Sequence, residues 1–389
     1  MSRNTSSLLL ATVGPEMQIF AADVEAATLE RIGKVTLPSD VQYCWPSPDH
    51  RRLYVASSNG HARAAGDNHY LTVLAIDPAT RLLRPLGAPA ALRSRPVHMC
   101  LDPAGKYAFV GYHYPSGISV HRIGADGTIA EEIAQSSQLD TGIYPHHVRV
   151  APSGRQVLLL ARGNNPTAST PEEPGSLKLF DFSDGQLTNN SSVAPHEGYG
   201  FGPRDADFHR SLPYVYISLE RQTKLNVFRY ENGMLSSRPV FECETLKNPG
   251  HVVKRQNAGA IHLHPRGHAV YVANRGGPEN PNDPDIGAEN SIAVFRLDAK
   301  TGEPTLIQHA DSDGVRPRTF DTDPSGRMFW AANLQQRVYE ERDERRVLPA
   351  GIATFHVRPD GTLEYVTRYD ITSGNSTLFW SGMLTFESW

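Results

Sequence analysis

The feature that most limits how this chain can fold is a tight turn that returns about every 55 residues. It reads SPDH at residues 47–50, DPAG at 102–105, APSG at 151–154, HPRG at 264–267 and DPSG at 323–326, with a degenerate copy, HRSL, at 209–212. The second residues of these turns, 48, 103, 152, 210, 265 and 324, are spaced by 55, 49, 58, 55 and 59. Each turn leads into a strand-like run (KYAFVGY, PYVYISLE, HAVYVAN), then a loop and a third run (ISVHRI, LNVFRYE, IAVFRLD). A fourth run follows a turn such as Asp126-Gly127 or Asp360-Gly361. Apolar alternation punctuated by Pro and Gly marks strands and hairpins. A repeating unit of four strands is a propeller blade.

One period before residue 48 falls ahead of the chain's start, so the first unit lacks its innermost strand and begins with SLLLATVG, followed by MQIFAADV. After the seventh unit an apolar strand, TLFWSGML at 377–384, is left over. Pairing the surplus strand with the deficient unit closes a ring and removes two sheet edges. The expected fold is all-β: a seven-bladed β-propeller with four-stranded blades, one domain over residues 1–389, its first blade completed by the C-terminal strand. A pair of β-sandwiches or an open solenoid would leave the missing and surplus strands unexplained. Long polar insertions at 60–69, 163–175, 276–290 and 334–349 all follow second strands, which should gather them around one mouth of the central channel.

Composition narrows the partner. A net charge of -4 offers no basic field for nucleic acid or an acidic membrane surface, so a small molecule is expected. Three scattered cysteines, Cys44, Cys100 and Cys243, with no CxxC pair, argue against a disulfide framework or a thiolate metal site and fit a reducing cytoplasm. The apolar run before Gly14 is short for a secretory signal, and no run reaches the about eighteen apolar residues of a membrane helix. Monomer and homo-oligomer remain equally open.

The chain resembles the seven-bladed propeller lactonases, a family similar to 6-phosphogluconolactonase and the fungal carboxy-muconate cyclases. The resemblance rests on YPHHVRVAPSG at 144–154, GPRDADFH at 202–209, the Glu220 that ends YVYISLE, AIHLHPRGHAVYVANRG at 260–276 and RPRTFDTDPSGRMFWAAN at 316–333. It implies His146, Arg204, Glu220 and Arg275 as catalytic channel residues; His113, Asp205, Arg318 and Asn333 are taken as candidate substrate-binding residues. Two departures stand out: the family's GPRH is GPRD here, which places Asp205 where a histidine is usual, and its Asn-Tyr is His113-Tyr114. The implied activity is hydrolysis of a sugar-acid lactone by general acid–base catalysis with arginine anion stabilisation, without metal or other cofactor. The alternatives are a lactone-forming carboxy-muconate cyclase and a non-catalytic propeller that binds through its loop face.

The residue types suit that chemistry. Arginine's planar fork holds carboxylate or phosphate through paired hydrogen bonds, and Arg204 or Arg275 could stabilise the oxyanion of a tetrahedral intermediate. His146 or Glu220 would take the proton from water, histidine being the natural choice near neutral pH. Strand alternation sets His146 and His147 on opposite faces, so only one of them, His146, should face the channel. Each of these charged residues could instead be a structural ion-pair partner. His262 and His264, two apart on one strand, could contribute to a zinc site, but no pattern supplies further ligands. The run ERDERR at 341–346 reads as a solvated loop.

Overall fold

The structure, a computed structural model, describes residues 5–61, 64–77, 79–342, 344–371 and 376–387. Its strands form seven antiparallel sheets in a ring, which we number as blades I to VII, plus one small hairpin. The inner strands are Leu378–Glu387, Val41–Pro46, Pro96–Leu101, Pro145–Val150, Pro203–Phe208, Asn257–Leu263 and Val315–Thr322. In blade I the order is Thr28–Thr36, Glu16–Asp23, Thr5–Val13 and then Leu378–Glu387, so the C-terminal strand does complete the first blade. It pairs antiparallel with the N-terminal strand, Leu9 opposite Met383 and Leu10 opposite Gly382.

The ring is held by seven apolar clusters among the described residues, one between each pair of neighbouring blades. The closing interface, between blades VII and I, is built like the others, with Met328, Trp330, Ile352, Leu9, Leu378 and Met383 buried together. Polar ties add direction. Tyr54, Tyr216 and Tyr271, each on a second strand, donate to the carbonyls of Gly127, Gly302 and Gly361 in the outer turn of the next blade at 2.9, 2.7 and 3.0 Å. Gly127 and Gly361 adopt φ of +87° and +92°, a backbone region that β-carbon-bearing residues avoid.

Every inner strand carries one extra residue near its start. Pairing slips past Phe379, Gln42, Val97, His146, Arg204 and Arg318 in six blades, and in blade VI Gly259 and Ala260 together face Ala273. A β-bulge of this kind breaks strict alternation and lets two consecutive side chains lean the same way. Of the two neighbours at the blade IV bulge, His146 lines the central channel, while His147 Nδ1 bonds Asp205 at 3.1 Å.

The insertions leave from the second-strand ends as anticipated. Residues 276–290 and 334–349 meet, with Arg337 Nε on Asp285 Oδ2 at 2.7 Å and a bridge between Pro284 and Val338. The charged run at 341–346 is not a plain loop. It sits in a hairpin, Arg337–Glu341 paired with Glu344–Leu348, with Val338 opposite Val347 (Asp343 lies outside the described residues, as do Ala62 and Arg63 of the first insertion). No helix among the described residues is long and apolar enough to cross a membrane.

Candidate active site

The bulged residues of the seven blades, with Ala260 standing for blade VI, line one cavity of about 290 Å³ at the ring's centre. Above it, the ends of second strands add further charge: Arg162 follows Gln156–Ala161, Glu220 follows Tyr214–Leu219, and Arg275 ends Ala269–Arg275. Blade VI has a glycine in the bulge where other blades carry a side chain. A β-carbon on Gly259 would stand 3.1 Å from Arg275 Cδ, so the glycine leaves space for the stem of Arg275 to cross from the second strand.

The four residues expected to be catalytic form one unbroken set of contacts. Glu220 accepts from Arg162 Nε at 2.8 Å, Arg204 Nη1 at 3.0 Å and Arg275 Nη2 at 3.4 Å. Arg204 Nη1 also reaches His146 Nε2 at 2.9 Å. Because a guanidinium only donates, that nitrogen must be the acceptor, and His146 carries its hydrogen on Nδ1, which donates to the Arg204 carbonyl at 3.1 Å. Arg204, Glu220 and Arg275 are only 4%, 7% and 4% exposed, so little water shields these charges.

Electrostatics follow from that crowding. Burial works against ionised Glu220, yet Arg162, Arg204 and Arg275 overcome it and hold the carboxyl well below the usual range. Burial, then the positive charge of Arg204, pushes His146 down to about 3. Sequence reasoning made His146 the natural proton acceptor near pH 7. In the resting site it is a weak base whose Nε2 is already engaged, and Glu220 is a counter-ion to three arginines. The cations are in excess: Arg162, Arg204, Arg275, Arg316 and Arg318 face Glu220 and Asp205. Burial and Arg204 push Arg275 well below the ordinary arginine value despite Glu220, and burial with Arg204 and Arg95 brings Arg318 to about 9. Arg204 Nε and Arg275 Nε are buried donors without a protein acceptor. A buried surplus of positive charge with unpaired N–H groups favours negative charge nearby.

Asp205, the departure from the family pattern, accepts from His147 Nδ1 at 3.1 Å and lies 3.7 Å from His146 Nδ1. Burial opposes its charge, but both histidines and Arg204 keep it ionised well below the usual carboxylate range. Arg318 donates from Nε to the Phe379 carbonyl at 3.0 Å and lies over that ring at 3.6 Å. His113 is half-buried and stacks on Tyr144 with centroids 3.7 Å apart. Asn333 is drawn away into the sheet, where its amide bonds Ser312 through both the Ser312 carbonyl, at 2.7 Å, and Oγ, at 3.0 Å. His262 and His264 do not converge: His262 lies 3.8 Å from Asp321, whereas His264, past the strand's end, bonds the Gly326 carbonyl at 3.0 Å.

Sequence reasoning missed Arg162. Arg162 stands 58 residues before Glu220, the same interval that separates His146 from Arg204, so the repeat itself could have revealed it.

Comparison with known proteins places this geometry. The chain is 26% identical over 255 residues, 64% of its length, to the 6-phosphogluconolactonase of Bacillus subtilis (strain 168), and that match spans 66% of the relative, just under two thirds. Among solved structures, a protein from Lactobacillus plantarum superposes with a TM-score of 0.72 at 20% identity, covering 99% of this chain and 100% of that one. The Pseudomonas aeruginosa periplasmic gluconolactonase superposes with a TM-score of 0.71 at 19% identity, covering 98% and 99%. These two share the fold. The family model "Lactonase, 7-bladed beta-propeller" matches residues 10–338, and with the seven closed blades this shows that the chain belongs to the seven-bladed β-propeller lactonase family.

Proposed function

We propose that this protein hydrolyses a sugar-acid lactone at the loop-side mouth of its central channel. The observation that carries the reading is the set of three guanidinium groups on the single Glu220 carboxylate, with His146 bonded to one of them. The names of the relatives, 6-phosphogluconolactonase and gluconolactonase, point to the same substrate class.

In the proposed reaction the ring carbonyl lies against Arg204 and Arg275, whose unpartnered N–H groups receive the oxygen as it becomes negative. Water attacks the carbonyl carbon and gives its proton to His146 Nε2. The weak basicity of His146 at rest is consistent with this role, because Arg204's charge is a main cause of it. An oxyanion that draws Arg204 Nη1 toward itself offsets that charge and frees Nε2, so the proton affinity of His146 rises as the intermediate forms. Collapse of the intermediate breaks the C–O bond of the ring, the departing alkoxide takes the proton back from His146, and the open acid ionises at neutral pH with release of one proton. Glu220 acts as the fixed counter-ion that keeps the arginines gathered.

The test is proton release measured in a pH-stat with glucono-δ-lactone, its 6-phosphate and muconolactone. Saturable turnover of a sugar lactone above the spontaneous rate is expected. Turnover of muconolactone alone would favour the cyclase, and none of the three turning over would favour a binding module.

A further inference from the structure

Three residues past the bulge, five of the inner strands present a second layer of side chains to the same cavity. In blades IV to VII this layer is Arg149, Asp207, His262 and Asp321, and in blade II it is Trp45. At this level Arg149 Nη2 is paired with Asp207 Oδ1 at 2.7 Å, which leaves Asp321 as the carboxylate without an arginine partner; Arg210 and His50 line the same cavity further along. Arg149 also lies 4.7 Å from the centre of the Trp45 ring.

Several polar groups here have capacity left over. Among the described residues the Asp321 carboxylate receives one hydrogen bond, from the Thr322 N–H at 2.7 Å, and its other oxygen stands 3.8 Å from His262 Nδ1. Though deep in the ring, the Asp321 side chain keeps 42% of its surface open to the cavity. His98, 2% exposed and also in the cavity wall, accepts the Val148 N–H on Nδ1 at 3.3 Å. Its hydrogen therefore resides on Nε2, a buried donor without a partner. An open carboxylate, an unpartnered N–H and an indole wall suit hydroxyl groups, which donate and accept at once and whose C–H faces pack on aromatic rings. A second anionic group in this layer would meet Asp207 and Asp321.

We propose that the channel below the arginines is a hydroxyl-recognising subsite, and that the substrate is an unphosphorylated polyhydroxy lactone whose carbonyl end meets the arginines while its hydroxyl-bearing end enters the channel. This rests on the lactonase reading for the orientation of the ring. The mouth supplies the cations for the carbonyl, and the layer beneath selects the rest of the molecule by hydrogen bonding and rejects a phosphate by charge. With about 290 Å³, the cavity admits one hexose-sized ring.

The experiment pairs turnover with binding. In the pH-stat, glucono-δ-lactone should give a higher kcat/KM than its 6-phosphate, and Asp321→Asn should shift that ratio toward the phosphate by about tenfold, since one like charge is removed. A preference for the phosphorylated lactone, or a ratio that Asp321→Asn leaves unchanged, overturns the proposal. Calorimetry on the wild-type protein needs no variant to fold: gluconate should bind more tightly than 6-phosphogluconate, and the reverse order overturns the subsite. If no lactone is turned over but gluconate still binds in preference, the lactonase reading fails while the subsite stands.

Discussion

Replacing Arg275 by methionine should abolish catalysis while leaving the propeller as stable as before. Arg275 contributes one contact to Glu220, at 3.4 Å, whereas Arg162 and Arg204 hold the same carboxylate at 2.8 and 3.0 Å and would remain. At an effective dielectric of about 20, that contact is an attraction of about 5 kcal/mol. Against it stand the cost of burying the ion, several kcal/mol, and repulsion from Arg204, Arg316 and Arg318. The sign of the balance is visible in the proton affinity of Arg275, which lies well below the ordinary arginine value: burial and the neighbouring guanidinium groups outweigh Glu220. Methionine keeps much of the stem and removes the charge, so the expected change in unfolding free energy is within about 1 kcal/mol. Loss of an oxyanion donor should lower kcat/KM by about 10²–10³. Urea unfolding and the pH-stat measure the two effects separately. Glu220→Met makes the contrast, since it leaves three buried cations uncompensated and should cost about 3–5 kcal/mol. An Arg275→Met protein that loses more than about 3 kcal/mol, or that keeps its rate, would refute the reasoning.

Three further outcomes are expected. His146 has an ordinary value of 6.5 and is held at about 3 in the fold, so as pH falls through 6.5 the unfolded chain binds a proton that the folded chain refuses. Stability is then full above pH 6.5 and declines toward pH 3 by up to about 1.4 kcal/mol per unit from this group, and a urea midpoint that stays level from pH 7 to 4 would contradict it. Leu384→Ala, in the strand that closes the ring, should cost about 3 kcal/mol in the same unfolding assay; a change near zero would mean that the closing blade contributes little. Gly259→Ala should press on Arg275 Cδ and lower kcat/KM about tenfold or more in a folded protein, and an unchanged rate would show that Arg275 needs no such clearance.

The ring was legible in the sequence because its signals are local and repeated. Turns such as DPAG and DPSG recur at one period, and a missing strand at one end matched a surplus strand at the other. Glu220 and Arg275 were named through the resemblance to the family's motifs, and both stand at the ends of second strands. What could not be read was the bulge at the start of each inner strand: a single slipped residue carries no signature of its own, yet His146 and Arg204, the slipped residues of blades IV and V, both line the cavity, while His147 bonds Asp205. The depressed basicity of His146 was equally hidden, since it arises from burial in the ring and from Arg204, 58 residues away in the next blade. The hairpin within 334–349 escaped because its charged composition reads as solvated, whereas its two strands are joined by backbone pairing from Arg337 opposite Leu348 to Glu341 opposite Glu344.

The central claim is that the cationic cluster at the channel mouth opens sugar-acid lactones. It is tested most directly by proton release from glucono-δ-lactone, followed side by side for the wild-type protein and Arg204→Met, the residue that joins His146 to Glu220. The account predicts saturable release by the wild type and the spontaneous rate for the variant. Equal rates for the two proteins, or a wild type no faster than buffer, would contradict it.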